Sequence, residues 1–193
     1  EMEAYKLFFM EDVVPLEQVE WLERIRQTSV TPLSQGELFN NPAEYKKLVE
    51  NRWIDYMRVH ISQIGGITPA RKLQQFCELY CVRICWHGPG DRSPIAHAAN
   101  IHIDLAAQNL GLQEWSGIKP PNYVIQKLKG PHGALKEIFP GMPEYGNDGF
   151  VYANEKPGLG VDIDEKEAAK YPCENSVTVW TQTRNADGSL QMP

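Results

Sequence analysis

The sequence predicts an α/β fold in which helices pack outside a parallel sheet. Short apolar runs of strand length alternate with longer amphipathic stretches about five times between residues 6 and 115. Consecutive parallel strands need a crossover connection, and a helix is the usual one. Helix-opening residues separate the units, as at Asn41-Pro42 and Ser93-Pro94, where a cap residue precedes a proline suited to the first helical turn.

The first two units occupy residues 6–50. Residues 6–10 form a short apolar run that predicts the first strand, and apolar residues at steps of three over residues 16–25 predict the first helix. Residues 32–37 predict a second extended segment that ends in a carboxylate, and Asn41-Pro42 opens the second helix. Each unit therefore reads as a strand followed by a helix.

Three more strands are predicted at residues 56–61, 82–86 and 112–115. A helix beginning around Gly65-Gly66 and Thr68-Pro69 connects the first two of them. A small-residue helix connects the last two, from Ser93-Pro94 to about Leu110, with Gly111 as its C-cap. The tail, residues 119–193, is rich in proline and glycine, with one helix predicted around residues 134–139 and an extended stretch at 150–153.

Composition and charge exclude several classes of protein. The chain has 193 residues, of which 42% are hydrophobic and 23% charged, as in an ordinary globular domain. Its 19 Lys+Arg against 25 Asp+Glu give a net charge of −6, which argues against a nucleic-acid partner because phosphates need a basic surface. No apolar run approaches the roughly 18 residues that span a bilayer, so we expect no membrane partner.

The four cysteines do not form a disulfide framework or a known metal motif. Cys77, Cys81 and Cys85 follow a C-x3-C-x3-C spacing, which matches neither zinc knuckles nor the thioredoxin pair. We expect them to be buried, reduced thiols that pack as small hydrophobes. This expectation fits a cytoplasmic protein.

Polar side chains stand at the carboxyl ends of the predicted strands: Glu11, Glu37, His87 and Glu114, with Arg58 inside the third strand. In a parallel α/β barrel these ends converge on one face, which holds the active site. Carboxylates on neighbouring strands suit Mg²⁺, which prefers oxygen ligands. An arginine can bind a carboxylate with two parallel hydrogen bonds, and His87 with Asp91 can bind hydroxyls or act as an acid–base pair.

Each of these residues also has a structural interpretation. A glutamate at a strand end more often faces a helix N-terminus or solvent than a metal. The remaining histidines, His60, His97, His102 and His132, have no partner pattern and are interpreted as structural or exposed. Trp180 either packs over the site or plugs the end of the barrel.

The sequence resembles the mannonate dehydratase branch of the enolase superfamily, which includes proteins labelled starvation-sensing. The resemblance runs over essentially the whole chain, and its motifs stand in the family's order. Those motifs are Leu7-Phe8-Phe9-Met10-Glu11-Asp12, Ser34-Gln35-Gly36-Glu37, Trp86-His87-Gly88-Pro89-Gly90-Asp91 and Pro157-Gly158-Leu159-Gly160-Val161.

The resemblance implies the carboxyl-terminal part of a (β/α)7β TIM-like barrel. Residues 1–193 would be the carboxyl-terminal portion of the metal-binding barrel domain, including the tail at 119–193. The N-terminal capping domain and the first strands would be absent from this chain, because five strand–helix units fall short of the eight strands of a closed barrel. The acid and the base of the reaction would lie upstream, and we expect the isolated chain to be inactive.

The resemblance also implies a carbon–oxygen lyase of carbohydrate metabolism. This hydro-lyase would remove water from D-mannonate, and also from D-gluconate, to give 2-keto-3-deoxy-D-gluconate. Pro89 beside His87 favours a low-activity or dual-substrate member, and the family implies a homo-oligomer. Mg²⁺ would be bound by Glu11 and Glu37. The implied substrate-binding residues are Glu37, Arg58, His87, Asp91, Glu114 and Trp180.

Two other interpretations stay open from the sequence. One is a non-catalytic protein on the same scaffold that binds acid sugars or regulates in response to them. The other is a truncated enzyme whose 193 residues have no separate function.

Overall fold

A parallel four-stranded sheet forms the centre of the computed structural model, which describes residues 2–89, 92–115, 134–146 and 148–172. The strands follow chain order across the sheet, with Met10 opposite Leu33, Ser34 opposite Tyr56 and Met57 opposite Ile84. They are β1 (Met10–Glu11), β2 (Leu33–Gln35), β3 (Tyr56–Met57) and β4 (Arg83–Ile84). The predicted parallel order is therefore confirmed.

Helices connect these strands. A 3₁₀ helix, Leu16–Trp21, runs directly into α1 (Leu22–Thr28), and another 3₁₀ helix, Met2–Tyr5, precedes β1. The longer helices are α2 (Pro42–Glu50), α3 (Ile67–Leu79) and α4 (Pro94–Leu105).

The predicted helix starts of α2 and α4 are confirmed by their capping hydrogen bonds. The Asn41 side chain accepts a hydrogen bond from the Ala43 N–H at 3.0 Å, while the Glu44 carboxylate accepts one from the Asn41 N–H at 3.1 Å. Ser93 Oγ accepts one from the Ala96 N–H at 3.3 Å. These bonds satisfy N–H groups that have no partner inside a helix.

The hydrophobic core lies between the sheet and the connecting helices. Leu33, Met57 and Ile84 come from the strands and are fully buried, as are Val49 and Cys77 from α2 and α3. Burial of this apolar area is the main stabilising contribution to the fold. Because the core holds the four parallel strands side by side, it also holds their carboxyl ends together at one edge of the sheet.

The region after α4 differs from the prediction. α4 ends at Leu105 instead of about Leu110, and the fifth strand position is a parallel bridge between Leu110 and Ile84, not a strand at residues 112–115. The Asn109 amide donates a hydrogen bond to the Val82 carbonyl at 2.8 Å, which places the chain along β4 earlier than the apolar pattern suggests.

Gly111 is consequently not a helix cap. Its N–H donates a hydrogen bond to the Ile84 carbonyl at 2.8 Å, and a Cβ atom there would lie 2.6 Å from Tyr56 Cε1. Glycine is needed because the backbone passes directly against the Tyr56 ring.

The described part of the tail packs against the main core through Leu159. α5 (Leu135–Ile138) and α6 (Glu165–Ala168) flank an antiparallel pair, β5 (Glu144–Tyr145) and β6 (Val151–Tyr152). The predicted helix around residues 134–139 and the extended stretch at 150–153 are both confirmed.

The cysteine prediction is confirmed for two of the three residues. Cys77 and Cys85 are buried and free, whereas Cys81 is free but exposed. Cys81 has φ +57° just after α3, where the chain reverses at the protein surface. Within the described residues, no helix is long and apolar enough to cross a membrane.

Candidate functional site

Five of the predicted site residues lie together at the carboxyl edge of the sheet. Glu11 ends β1, Glu37 follows β2 by two residues, Arg58 follows β3 directly and His87 follows β4 by three. Glu114 comes after the Leu110 bridge that continues the sheet. Because the strands are parallel, their carboxyl ends meet on one side. Hydrogen bonds and ion pairs join these five side chains into one cluster.

Arg58 lies at the centre of the cluster and is only 2% exposed. Its Nε donates a hydrogen bond to Glu11 Oε1, its Nη2 donates to Glu114 Oε2 at 2.7 Å, and its Nη1 donates to Cys85 Sγ at 3.1 Å. A guanidinium group has five N–H donors. Three are therefore used within the described residues, and two remain for another acceptor.

Glu114 is held by the backbone as well as by Arg58. The Gly88 N–H donates a hydrogen bond to Glu114 Oε2 at 2.7 Å. Burial on its own would raise the pKa of Glu114, but the Gly88 N–H and Arg58 outweigh it and hold the pKa below its ordinary value. Glu114 is therefore an anion at neutral pH and can accept hydrogen bonds from a ligand.

Gly88 allows this approach because it has no side chain. A Cβ atom at this position would collide with the backbone carbonyl oxygen of Glu114. Glycine is the residue that permits such a close backbone contact. The loop after β4 thus places Gly88 and His87 together beside Glu114.

His87 lies near both Glu37 and Glu114 in the cluster. Its Nε2 lies 3.4 Å from Glu37 Oε2 and 3.6 Å from Glu114 Oε2. Its Nδ1 lies 2.7 Å from His60 Nε2. The imidazole is therefore held from behind by another histidine, with its free edge facing two carboxylates.

The interpretation of His60 as structural or exposed fits its burial but does not include its contact with His87. His60 is buried and pairs directly with a predicted site residue. A signal was present in the sequence, because His60 follows Arg58 by two residues in an extended segment, and such residues point to the same side. The sequence did not show that the Arg58 and His60 side chains both contact predicted site residues.

Glu11, Glu37 and His87 can together hold a cation. Each offers one ligand atom, and the three ligand atoms lie within 4.8 Å of one another. The two carboxylates supply hard oxygen donors, which fit Mg²⁺. The predicted metal ligands Glu11 and Glu37 are therefore close enough to share one ion.

Asp12 links the two loops that carry these carboxylates. Its Oδ1 accepts a hydrogen bond from the Gly36 N–H at 3.2 Å, next to Glu37. Burial raises the pKa of Asp12 to about 6, against the lowering effect of the Gly36 hydrogen bond, and the neighbouring Glu37 and Glu11 carboxylates raise it further. The sequence motif contained Asp12, but no role was predicted for it.

Two predicted substrate-binding residues cannot be placed. Asp91 and Trp180 lie outside the described residues.

The chain is similar to known proteins over its whole length. Residues 1–167 match the Enolase C-terminal domain-like family. A D-galactonate dehydratase family member of Salmonella enteritidis PT4 is 50% identical over 192 residues, which is 100% of this chain and 42% of that protein. RspA of Pantoea ananatis, also a D-galactonate dehydratase family member, is 50% identical over 100% of this chain and 43% of its own length. The chain thus spans less than half the length of these relatives.

Solved structures agree with the fold. A crystal structure of an enolase from Pantoea ananatis with bound D-gluconate and Mg is 49% identical, with a TM-score of 0.85 over 100% of this chain and 43% of that one. A mandelate racemase/muconate lactonizing enzyme from Jannaschia sp. CCS1 has a TM-score of 0.75 over 91% of this chain and 41% of that one, at 20% identity, and supports the fold alone. The predicted enolase-superfamily barrel fold is confirmed, and the chain belongs to the Enolase C-terminal domain-like family.

Proposed function

We propose that the full-length protein is a Mg²⁺-dependent sugar-acid dehydratase. It removes water from D-mannonate and D-gluconate to give 2-keto-3-deoxy-D-gluconate. The observation that carries the proposal is the cluster of Glu11, Glu37 and Glu114 around Arg58 and His87 at the carboxyl edge of the sheet. The dehydratase names of the relatives and the D-gluconate and Mg in the Pantoea ananatis structure support it.

The residue types suit the charge changes of this reaction. The proton next to a carboxylate is weakly acidic, and a bound Mg²⁺ would neutralise the negative charge that develops when it is removed. Glu11 and Glu37 would hold that ion. The two remaining N–H donors of Arg58 can bind the substrate carboxylate, since an arginine matches a carboxylate in shape and charge.

Glu114 and His87 supply the other polar contacts. Glu114 is an anion that can accept a hydrogen bond from a sugar hydroxyl, and the free edge of His87 points to the same space. The overall step breaks the C2–H and C3–O bonds, and the enol that forms becomes the 2-keto acid. The proton acceptor and the proton donor belong to the upstream part of the barrel in this proposal.

D-Mannonate and D-gluconate differ only in configuration at C2, the carbon that loses its proton. A site that accepts both substrates therefore does not discriminate at C2. It must select sugar acids by the configuration of their other hydroxyl groups. Pro89, next to the Gly88–Glu114 contact, restrains the backbone there. This restraint supports a slow or dual-substrate enzyme. The proposal also takes the protein to be a cytoplasmic homo-oligomer, as the family resemblance and the reduced thiols suggest.

A substrate panel tests the proposal. The full-length protein is incubated with D-mannonate, D-gluconate or D-galactonate, with Mg²⁺ or with EDTA, and the 2-keto-3-deoxy product is followed by ¹H NMR. We expect a product from D-mannonate or D-gluconate only with Mg²⁺. Glu37→Gln should abolish it, and the surface substitution Lys46→Gln should not.

The outcomes separate the alternatives. No product from any hexonate at high enzyme concentration and saturating Mg²⁺ would overturn the proposal, and a product from D-galactonate alone would overturn its substrate assignment. Saturable binding of D-gluconate by calorimetry without turnover would then favour the non-catalytic sugar-acid-binding protein.

A further inference from the structure

The histidine pair at the site has a defined hydrogen-bond direction. His60 Nε2 and His87 Nδ1 are 2.7 Å apart, so one nitrogen must donate a proton and the other must accept it. His60 is buried. Its other ring nitrogen, Nδ1, is also buried and has no hydrogen-bond partner in the part of the chain that the structure describes.

The buried Nδ1 of His60 decides between two arrangements. If His87 donated to His60, the proton of a neutral His60 would lie on Nδ1, where a buried N–H without a partner is costly. If His60 donates through Nε2, its Nδ1 carries only a lone pair, and no donor is left unsatisfied.

The environment of His60 keeps it neutral. Burial lowers its pKa to about 3, and the positive charges of Arg92, His87 when protonated, and Arg58 act in the same direction. A neutral imidazole has a single N–H to donate. The hydrogen bond to His87 uses it.

The free edge of His87 gives the same answer independently. Its Nε2 lies between carboxylate oxygens of Glu37 at 3.4 Å and Glu114 at 3.6 Å. In the metal-free protein a lone pair on Nε2 would face two carboxylates and be repelled, whereas an N–H would be attracted by both. With Mg²⁺ on Glu37, the Glu114 carboxylate still attracts the N–H. Both ends of the pair therefore favour a proton on His87 Nε2.

We propose that His60 is a positioning residue for His87: it donates Nε2–H to His87 Nδ1 and so keeps the His87 proton on Nε2, facing the site. The proton on one ring nitrogen is set by the hydrogen bond that the other makes. The functional part of this inference rests on the proposed dehydratase, in which His87 contacts the sugar acid.

This proton position prevents His87 from binding the metal through Nε2. Glu11, Glu37 and His87 are close enough to bind one ion, but a protonated Nε2 has no lone pair to offer a metal. His87 is therefore a hydrogen-bond donor to a substrate oxygen, and the metal depends on the two carboxylates and on a ligand outside this set.

Nitrogen NMR tests the proton position directly. The full-length protein is labelled with ¹⁵N-histidine, and long-range ¹H–¹⁵N spectra identify the His87 ring by its loss in His87→Gln. We expect a pyridine-like Nδ1 and a pyrrole-like Nε2, and in His60→Leu an averaged signal from both tautomers. A protonated Nδ1 in the parent protein, or an unchanged His87 signal in His60→Leu, would overturn the inference.

A rescue experiment separates positioning from simple packing. His60→Gln keeps an N–H donor, so it should restore the Nε2–H tautomer and most of the kcat, whereas His60→Leu should lose about tenfold or more in kcat with little change in the apparent Mg²⁺ affinity. His102→Leu, on α4 where the ring contacts the Leu159 carbonyl at 3.4 Å, is the matched histidine control and should change neither. Equal kcat for the Leu and Gln variants would contradict a positioning role.

The two proposals fail in different ways. If no hexonate is dehydrated but the tautomer follows His60 as expected, the proposed function is wrong and the positioning of His87 stands. If dehydration is observed and the tautomer ignores His60, the positioning is wrong and the function stands.

Discussion

Arg58→Met is the substitution with the largest expected effect on stability. Methionine fills a similar volume, so the change mainly removes the charge and its hydrogen bonds to Glu11 and Glu114. A hydrogen bond to a charged group contributes about 1.5–3 kcal/mol, and breaking a buried ion pair costs about 3–5 kcal/mol. The two carboxylates are each 34% exposed, and solvent screening lowers these values. We expect a loss of about 3 kcal/mol in the free energy of unfolding.

The assay is urea unfolding of the full-length protein in EDTA, so that metal binding does not contribute. Arg26→Met is the matched control, because Arg26 makes two hydrogen bonds to Asp55 at 2.7 and 2.9 Å outside the site, with both side chains partly exposed. We expect the control to lose about 1 kcal/mol and to keep its activity. A loss for Arg58→Met no greater than that of the control would refute the view that Arg58 holds the acidic cluster together.

Three further predictions concern the metal, the glycine contact and a buried acid. Glu37→Gln should weaken Mg²⁺ binding by about 100-fold or more in calorimetry, since even loss of an outer partner of a ligand costs about 10–100-fold. Gly88→Ala should lower kcat/KM by about 100-fold, because Glu114 must shift. Gly149→Ala strains a positive-φ turn in the tail but meets no neighbouring atom there, and should not lower kcat/KM. Burial raises the pKa of Asp104 to about 7, although the nearby Trp86 lowers it. The stabilising contribution of protonated Asp104 is therefore fully present below about pH 4 and is lost as the pH rises through 7. At pH 8 the Asp104→Asn variant should have a free energy of unfolding about 2–4 kcal/mol higher than the parent protein, and this free energy should depend less on pH. Urea unfolding curves at several pH values measure both.

The sequence predicted which residues would come together where a local pattern coincides with strand geometry. Glu11 and Glu37 end predicted extended segments and Arg58 lies inside one, and parallel strands bring such positions together whatever the details of packing. Their contacts with one another needed the structure. A pattern along the chain does not show that one guanidinium bridges Glu11 and Glu114, which are 103 residues apart in sequence numbering.

The predictions failed where a long-range contact overrides a local signal. The small apolar residues after Ser93 favour a helix to about Leu110, but the Asn109 amide binds the Val82 carbonyl and places the chain beside β4. The same apolar pattern predicts Gly111 as a helix cap. Glycine is needed there instead because the backbone passes directly against the Tyr56 ring. The contact of His60 with His87 was not predicted, because the two residues are 27 positions apart in the chain.

The most direct test of the proposed site is a crystal structure of the full-length protein soaked with Mn²⁺, a substitute for Mg²⁺ that anomalous scattering can locate, together with D-gluconate. We predict one anomalous peak bound by the Glu11 and Glu37 carboxylates, with a sugar-acid oxygen within hydrogen-bonding distance of His87 Nε2. A peak bound to His87 Nε2, or no peak at these carboxylates at saturating Mn²⁺, would contradict the assignment.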